Sequence, residues 1–154
     1  MPALARFLRV TPSISKKGLG QYLGHQQNID VLKEVMLTFE FRGKRIDEAL
    51  RLMLESFRLP GESQQIERVM ETFASVYFST KPKYLATQDA AFVMSYSIIM
   101  LNTDQHNPQV KNRMKVEDFI RNNRGINNGV DLDHDFLREI YKSIKEKDLF
   151  RFLQ

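Results

Sequence analysis

Residues 57–68 read FRLPGESQQIER, and this stretch separates two helical patterns. Pro60 and Gly61 end one helix abruptly and allow another to begin. Glu62 then falls at the mouth of the second helix, where the positive end of the helix dipole stabilises an ionised carboxylate. Taken alone, an acidic residue in the first turn of a helix is ordinary helix chemistry.

Apolar residues recur at helical spacing on both sides of this break. The apolar faces comprise Leu32, Val35, Met36 and Phe39; Ile46, Ala49, Leu50, Met53, Leu54 and Phe57; Ile66, Val69, Met70, Phe73 and Tyr77; and Leu137, Ile140, Tyr141 and Ile144. No segment shows sustained alternation of apolar and polar residues, so no strand is predicted. Short breaks lie at Thr11–Ser13, Arg42–Lys44, Leu59–Gly61, Lys81–Lys83 and Asn127–Gly129. We therefore predict an all-α domain whose consecutive helices pack together.

The segment from Thr87 to His106 is apolar on most sides, which predicts a central helix touched by several others. Residues 94–110 within and after it read MSYSIIMLNTDQHNPQV. The apolar part of this motif would by default belong to the core, and Asn102 and His106 would serve the end of the helix before Pro108. A hydrogen-bonding role suits His106 better than proton transfer.

The composition limits the classes of function. The 154 residues are 42% hydrophobic, enough for one domain with a sizeable core, and they include no cysteine, which excludes disulfides and cysteine-bound zinc. The net charge of +4, without a run of basic residues and without tryptophan, is weak evidence for nucleic acid but permits contact with an anionic membrane or an acidic partner. No signal peptide and no membrane-spanning stretch is recognised, so a soluble protein is expected.

Motifs of covalent chemistry are absent from the sequence. The glycines of residues 18–24, GLGQYLG, imitate a dinucleotide loop, but the third glycine is one place late and no strand precedes them. Neither a Walker-type phosphate loop nor a G-x-S-x-G nucleophile elbow occurs.

No metal site or cofactor is predicted. His25, His106 and His134 do not form a helical metal pair. The acidic residues Asp131, Asp133 and Asp135 begin like a calcium loop. However, Phe136 stands where such a loop needs glycine, and Lys142 where it needs glutamate. These aspartates are better explained as residues that cap and charge the start of the last helix.

Together, the two motifs closely resemble the signatures of the Sec-seven domain, the catalytic domain of Arf guanine-nucleotide exchange factors. Residues 57–68 match F-R-L-P-G-E-x-x-x-I-x-R, and residues 99–110 match I-M-L-N-T-x-x-H-N-P-x-V. Further agreement lies in residues 122–127 and 136–144. Gly61–Gln64 and Ser95–Ile99 look most like the large Golgi-type factors of the GBF, Gea and GNOM branch.

The resemblance implies a right-handed superhelix of short helices, formed by residues 1–154 as a single domain within a larger protein. A full Sec-seven domain begins earlier, so the resemblance also implies that about the first two helices are lacking and that apolar faces are exposed. The last helix is expected to run into the apolar residues 148–153 without an obvious stop.

The resemblance assigns the central role in exchange to Glu62. In the family, the matching glutamate enters the nucleotide site of the GTPase, repels the β-phosphate of GDP, displaces Mg²⁺ and competes for the phosphate-loop lysine. The second motif lines a hydrophobic groove for the switch regions of the GTPase. The candidates for its wall and rim are Tyr96, Ile99, Met100 and Asn107, although Ile99 and Met100 could instead belong mainly to the core.

Sensitivity to brefeldin A is also implied by the resemblance. In the family it accompanies tyrosine, serine, aspartate and methionine at four spaced positions. These positions match Tyr96, Ser97, Asp104 and Met114.

The implied partner is an Arf-family GTPase in its GDP-bound form. The implied location is cytoplasmic, with the parent protein peripherally associated with Golgi or endosomal membranes. The main alternative is a helical interaction module that binds a GTPase without exchanging its nucleotide. An α-helical nucleic-acid binder is a second alternative, which the weak net charge argues against.

Overall fold

The computed structural model describes residues 2–10 and 15–150, and within these ranges the chain is helical. Its α-helices are α1 (Pro2–Val10), α2 (Lys16–Gly24), α3 (Ile29–Leu37), α4 (Ile46–Leu54), α5 (Ser63–Phe78), α6 (Gln88–His106), α7 (Val116–Asn122) and α8 (His134–Glu146), with a 3-10 helix at Gln26–Asn28. The described residues contain no strand, only an isolated bridge between Asn127 and Val130. The prediction of an all-α domain is confirmed.

The predicted breaks lie between these helices wherever the structure describes them. Gly43 and Gly129 adopt φ angles of +78° and +84°, a left-handed backbone that side chains other than glycine rarely tolerate. The break at Thr11–Ser13 lies outside the described residues.

Helix α6 is the central helix that its apolar composition predicts. The hydroxyl of Thr87 caps its start by accepting a hydrogen bond from the amide of Ala90 at 3.0 Å. The helix packs against α4, α5 and α8 and buries Met94, Ile98 and Leu101 completely. Removing such apolar side chains from water is the main favourable term in holding these helices together.

An aromatic cluster fills the space between α5 and the chain that follows α3. The rings of Phe41 and Phe73 meet edge to face with their centroids 5.3 Å apart, and Tyr77 stacks on Phe73 at 5.8 Å. The buried hydroxyl of Tyr77 donates a hydrogen bond to the carbonyl of Lys44 at 2.7 Å. Burial raises the pKa of Tyr77, and the nearby carboxylates of Asp47 and Glu48 raise it further.

An ion pair between half-buried Arg45 and buried Asp47 lies at the start of α4. Asp47 is fully buried, and its carboxylate accepts two hydrogen bonds from the guanidinium of Arg45, one from Nε and one from Nη2 at 2.9 Å. This bidentate contact raises the pKa of Arg45. Because a buried carboxylate is costly without a partner, the pair holds Arg45 at this position.

The expectation that the last helix runs on into residues 148–153 is wrong within the described range. Helix α8 ends at Glu146, and the following residues fold back toward α4 and α6. Arg51 donates hydrogen bonds to the carbonyl groups of Lys147 and Asp148 at 3.1 and 3.3 Å, and Leu149 is buried. The apolar residues therefore continue as a buried return of the chain, and residues 151–154 lie outside the described part.

Apolar side chains remain exposed on the outer face of α1 and α3. Leu4 and Phe7 of α1 and Leu37 of α3 are 41%, 55% and 60% exposed, although α1 and α3 pack against each other.

Candidate functional site

Glu62 occupies the N-cap position of α5, with φ −83° and ψ 135°. Its backbone carbonyl accepts the amide hydrogen of Ile66 at 2.9 Å, so the main chain already belongs to the helix. Its exposed carboxylate makes no capping hydrogen bond and takes part in no ion pair with the described residues. A carboxylate here benefits from the helix dipole and is still available to a partner.

Two glycines of α2 support the turn that carries Glu62. A Cβ atom on Gly20 would lie 1.7 Å from the carbonyl oxygen of Arg58, and one on Gly24 would lie 3.0 Å from Cγ of Pro60. Only glycine permits the approach of α2 to the backbone of Arg58, and a side chain on Gly24 would crowd Pro60. Two of the three glycines that imitate a dinucleotide loop in the sequence, Gly20 and Gly24, thus allow close packing against the turn.

Two hydrogen bonds fasten the same contact at its ends. The amide of Arg58 donates to the carbonyl of Lys16 at 3.0 Å, and Nη1 of Arg68 on α5 donates to the carbonyl of Gly24 at 2.5 Å. The sequence analysis assigned none of these residues to the site. The spacing of four between Gly20 and Gly24, which places both on one helical face, is the signal that could have indicated them.

An apolar groove of about 270 Å³ lies between α6 and α7. It brings together four residues that the sequence analysis selected: Tyr96, Ser97, Met100 and Met114. The remaining lining residues are Phe92, Val93, Phe119, Asn122 and Asn123. Met100 is 62% exposed, so it does not belong to the core.

The other selected residues lie outside this lining. Ile99 is half-buried and packs against the core. Asn107 ends α6, and its side-chain oxygen accepts the amide hydrogen of Gln109 at 2.9 Å. Asp104 borders an adjoining open pocket that also contacts Met114.

Met114 is held in the groove by three hydrogen bonds to its backbone. Asp104 accepts its amide hydrogen at 2.6 Å, and its carbonyl accepts hydrogen bonds from Gln105 Nε2 and from the Tyr141 hydroxyl, both at 2.8 Å. Arg113 adds a bond to the carbonyl of Asn107 at 3.1 Å. Asp104 therefore positions a groove residue, and Gln105 and Tyr141 join it in a role that the sequence analysis missed.

Tyr96 lines the groove and lies close enough to α5 for the charges of that helix to act on its hydroxyl. Its ring meets that of Phe92 edge to face at 5.2 Å. Partial burial raises the pKa of Tyr96, and the carboxylates of Glu67 and Glu71 on α5 raise it further. The acidic side of α5 therefore lies within electrostatic reach of the groove.

His106 and Asn102 have structural contacts. Nε2 of His106 lies 2.5 Å from the carbonyl oxygen of Ile144, which ties α6 to α8. Buried Asn102 does not end the helix as expected. It donates to the carboxylate of Asp148 and accepts the amide hydrogen of Leu149, both at 2.9 Å.

The described residues offer no group of three or more metal-ligating side chains and no helix long and apolar enough to cross a membrane. Asp133 caps α8 by accepting the amide hydrogen of Phe136 at 2.9 Å, and Asp135 lies in the first turn, as predicted. Asp131 instead accepts the amide hydrogen of Gly125, so it closes a loop and does not cap the helix.

Comparison with known proteins identifies the family of the chain. The family model of the Sec7 domain matches residues 2–149. The chain is 55% identical over 148 residues to an uncharacterized protein of Schizosaccharomyces pombe, covering 95% of this chain and 10% of that protein. It is 52% identical over 149 residues to the ARF guanine-nucleotide exchange factor GNOM of Arabidopsis thaliana, covering 96% of this chain and 10% of GNOM.

Solved structures share the fold. The Sec7p catalytic domain superimposes with a TM-score of 0.90 at 41% identity, covering 96% of this chain and 79% of that one. A Sec7 domain bound to ARF1-GDP and brefeldin A superimposes with a TM-score of 0.86 at 47% identity, covering 95% and 75%. The chain thus spans about a tenth of the length of the curated relatives it matches.

Proposed function

Because the chain belongs to the Sec7 domain family, we propose that it catalyses guanine-nucleotide exchange on a GDP-bound Arf-type GTPase. The observation that carries this proposal is the exposed carboxylate of Glu62, which makes no capping hydrogen bond at the start of α5. The turn that carries Glu62 is held by its close contact with the glycines of α2. The relative GNOM is named as an exchange factor of this kind, and a related Sec7 domain has been solved with ARF1-GDP.

Glu62 acts in this proposal by electrostatic repulsion, and no covalent bond is made or broken. When the carboxylate enters the nucleotide site, it lies near the β-phosphate, competes for Mg²⁺ and competes for the phosphate-loop lysine. Like charges a few ångströms apart repel strongly where water is excluded. Because about 1.4 kcal/mol accelerates a reaction tenfold, modest destabilisation of bound GDP gives a large rate.

The groove between α6 and α7 is the proposed docking site for the switch regions. Met100 and Tyr96 offer apolar surface there, and burying one such side chain against a partner contributes about 1.5–3 kcal/mol. Asn107 at the end of α6 supplies a polar group at the rim, and Ile99 supports the wall from the core side.

A charge reversal tests the role of Glu62. GDP release from an Arf-type GTPase should be accelerated by the unmodified chain and not by Glu62→Lys, while the variant still binds the GTPase. Glu40→Lys is the matched control, since it changes the same charge at an exposed position that lines neither the groove nor its neighbouring pocket. An exchange rate for Glu62→Lys equal to that of the control would contradict the proposal.

The groove is also the proposed binding site of brefeldin A, with the GDP-bound GTPase trapped in an unproductive complex. Tyr96, Ser97 and Met114 line it, and Asp104 holds Met114 in place. A saturating dose of the drug should slow exchange by the unmodified chain. Ser97→Ala, which changes one lining hydroxyl, should require more drug. Equal rates with and without the drug would refute this part.

The parent protein is proposed to act in the cytoplasm, peripherally bound to Golgi or endosomal membranes. Support comes from the family membership and from the relatives named as Arf exchange factors. Fluorescence microscopy of the tagged parent protein, with markers for both organelles, tests it. A distribution that matches neither marker would contradict it.

A further inference from the structure

A second concavity, which we term the lysine cleft, lies away from the groove and shares no lining residue with it. It has a volume of about 390 Å³ and lies between the start of α4, the end of α5 and the start of α8. The side chains important here are Lys44, Arg45, Lys81, Lys83, Tyr84 and Phe136.

The lysine cleft gathers three lysines whose positive charge is unpaired among the described residues, whereas the charge of Arg45 is paired with Asp47. Lys44, Lys81 and Lys83 make no ion pair with the described residues. The one carboxylate in the lining, that of Glu48, accepts the amide hydrogen of Arg45 at 2.8 Å and so is already engaged in capping α4. Like charges assembled around a concave surface create a positive potential that favours an anion.

The backbone at Lys81 is unfavourable for a lysine. Its φ angle is +58°, in the left-handed region that glycine or asparagine normally occupies at the end of a helix. The amide of Lys81 donates to the carbonyl of Phe78 at 3.0 Å, which makes it a residue of the α5 C-terminal turn. A strained lysine in place of glycine is consistent with a use for its side chain.

The rim of the lysine cleft suits the surface of a membrane. Tyr84 is 41% exposed and stacks on Phe136 with ring centroids 4.6 Å apart. Val130 is 65% exposed in the neighbouring loop, which Asn127 ties to the backbone of Tyr84 and Ala86 at 3.1 and 2.7 Å. Exposed tyrosine and aliphatic side chains beside lysines are typical of segments that lie at a lipid–water interface.

We propose that the lysine cleft binds the polyphosphorylated headgroup of an anionic phospholipid, with Tyr84 and Val130 resting at the membrane surface. The inference goes beyond nucleotide exchange and involves neither Glu62 nor the groove. It gives the domain a contact of its own with the membrane.

Vesicle sedimentation tests the proposal. We compare phosphatidylcholine vesicles containing phosphatidylinositol bisphosphate with vesicles given the same total charge by phosphatidylserine. The test variant is K44Q/K81Q/K83Q, and the control K17Q/K33Q/K142Q removes equal charge from exposed lysines outside the cleft. Each lysine near an anionic surface contributes about a fivefold change in affinity, so the test variant should lose on the order of 100-fold.

The expected result has three parts. The unmodified chain binds the bisphosphate vesicles more tightly than the charge-matched vesicles, the test variant loses this preference, and the control keeps it. Equal loss in both triple variants would overturn the proposal, because it would show diffuse attraction. Binding of soluble inositol trisphosphate without binding to vesicles would also overturn it, in favour of a site for a free anion.

Lys81→Gly provides a second variant that cannot fail through misfolding, because glycine relieves the backbone at φ +58°. It should unfold at the same or higher urea concentration and bind bisphosphate vesicles more weakly. Unchanged binding would count against the cleft. Exchange on a GTPase in solution, without lipid, should be the same for every lysine variant. A negative vesicle experiment would therefore contradict the lysine cleft and not the proposed exchange activity, and a negative Glu62 experiment would do the reverse.

Discussion

At the scale of single residues, the site separates the group proposed to act from the groups that position others. Among the described residues, none caps or pairs with the carboxylate of Glu62. Asp104, Gln105 and Tyr141, in contrast, form hydrogen bonds with the backbone of Met114. The two signature motifs contain Glu62 and Asp104, one residue of each kind, and their spacing in the sequence does not distinguish the two roles.

Tyr141→Phe tests this positioning role. The change removes the hydrogen bond from the tyrosine hydroxyl to the carbonyl of Met114, which should cost about 1 kcal/mol of unfolding free energy. Because Met114 lines the groove, KM for the GTPase should rise more than kcat falls. Urea unfolding and steady-state exchange measure the two effects.

Tyr22→Phe is the control for this experiment, because Tyr22 is exposed and lies outside the groove. It should change neither the unfolding free energy nor KM for the GTPase. If Tyr141→Phe lowered stability with no change in KM, its hydroxyl would have a purely structural role.

At the scale of elements, the contact between α2 and the turn before α5 determines where Glu62 lies. The contact depends on glycine, because the carbonyl of Arg58 occupies the space that a side chain on Gly20 would need. The exposed turn that carries Glu62 is thereby held by a close backbone contact, as the proposed role of Glu62 in exchange requires.

Gly20→Ala should therefore damage both stability and exchange. The added Cβ would lie 1.7 Å from a backbone oxygen, so the turn must shift, and overpacking of this kind costs about 1–3 kcal/mol. Circular dichroism should show that the helix content is retained. Urea unfolding should have a lower midpoint, and the exchange assay should give a reduced rate.

Gly18→Ala is the matched control in the same helix. Its Cβ would meet only Ser15 at 3.7 Å, an ordinary contact, and alanine is favoured over glycine within a helix by about 1 kcal/mol. This variant should be as stable as the unmodified chain or more so, with normal exchange. Equal effects of both substitutions would show that the approach to Arg58 is not the cause.

At the scale of the whole molecule, the end of the chain is joined to its central helix. Asn102 of α6 is buried and bonds both Asp148 and the amide of Leu149, and Arg51 of α4 bonds the same return. We propose that residues 1–154 unfold as one domain, because these contacts connect segments far apart in the sequence.

Asn102→Ala tests this connection. It removes two hydrogen bonds and takes from the buried amide of Leu149 its acceptor, which should lower the unfolding free energy by about 2–3 kcal/mol. Urea denaturation followed by circular dichroism and by tyrosine fluorescence should give one coincident transition for the unmodified chain and for the variant.

Asn112→Ala, at an exposed position, should leave the midpoint of unfolding unchanged. Separate transitions by the two probes would contradict a single domain. An unaltered midpoint for Asn102→Ala would show that the return of the chain contributes little to stability.

The sequence by itself determined the long amphipathic helices and the breaks that the structure describes between them. An apolar period of 3.6 residues and the turn preferences of glycine and proline are local properties, so α4, α5, α6 and α8 could be predicted from short windows. The two long motifs likewise indicated the family and led to Glu62 and the groove residues, because a motif is a local pattern.

Only the tertiary structure decided which residues meet. The contact of Gly20 with Arg58, the clamp of Tyr141 on Met114 and the bonds of Asn102 to residues 148–149 each join positions far apart in the chain. The lysine cleft likewise assembles side chains from separate helix ends. Side-chain period and composition carry no information on such distant partners, because these contacts arise only when the helices pack into one core.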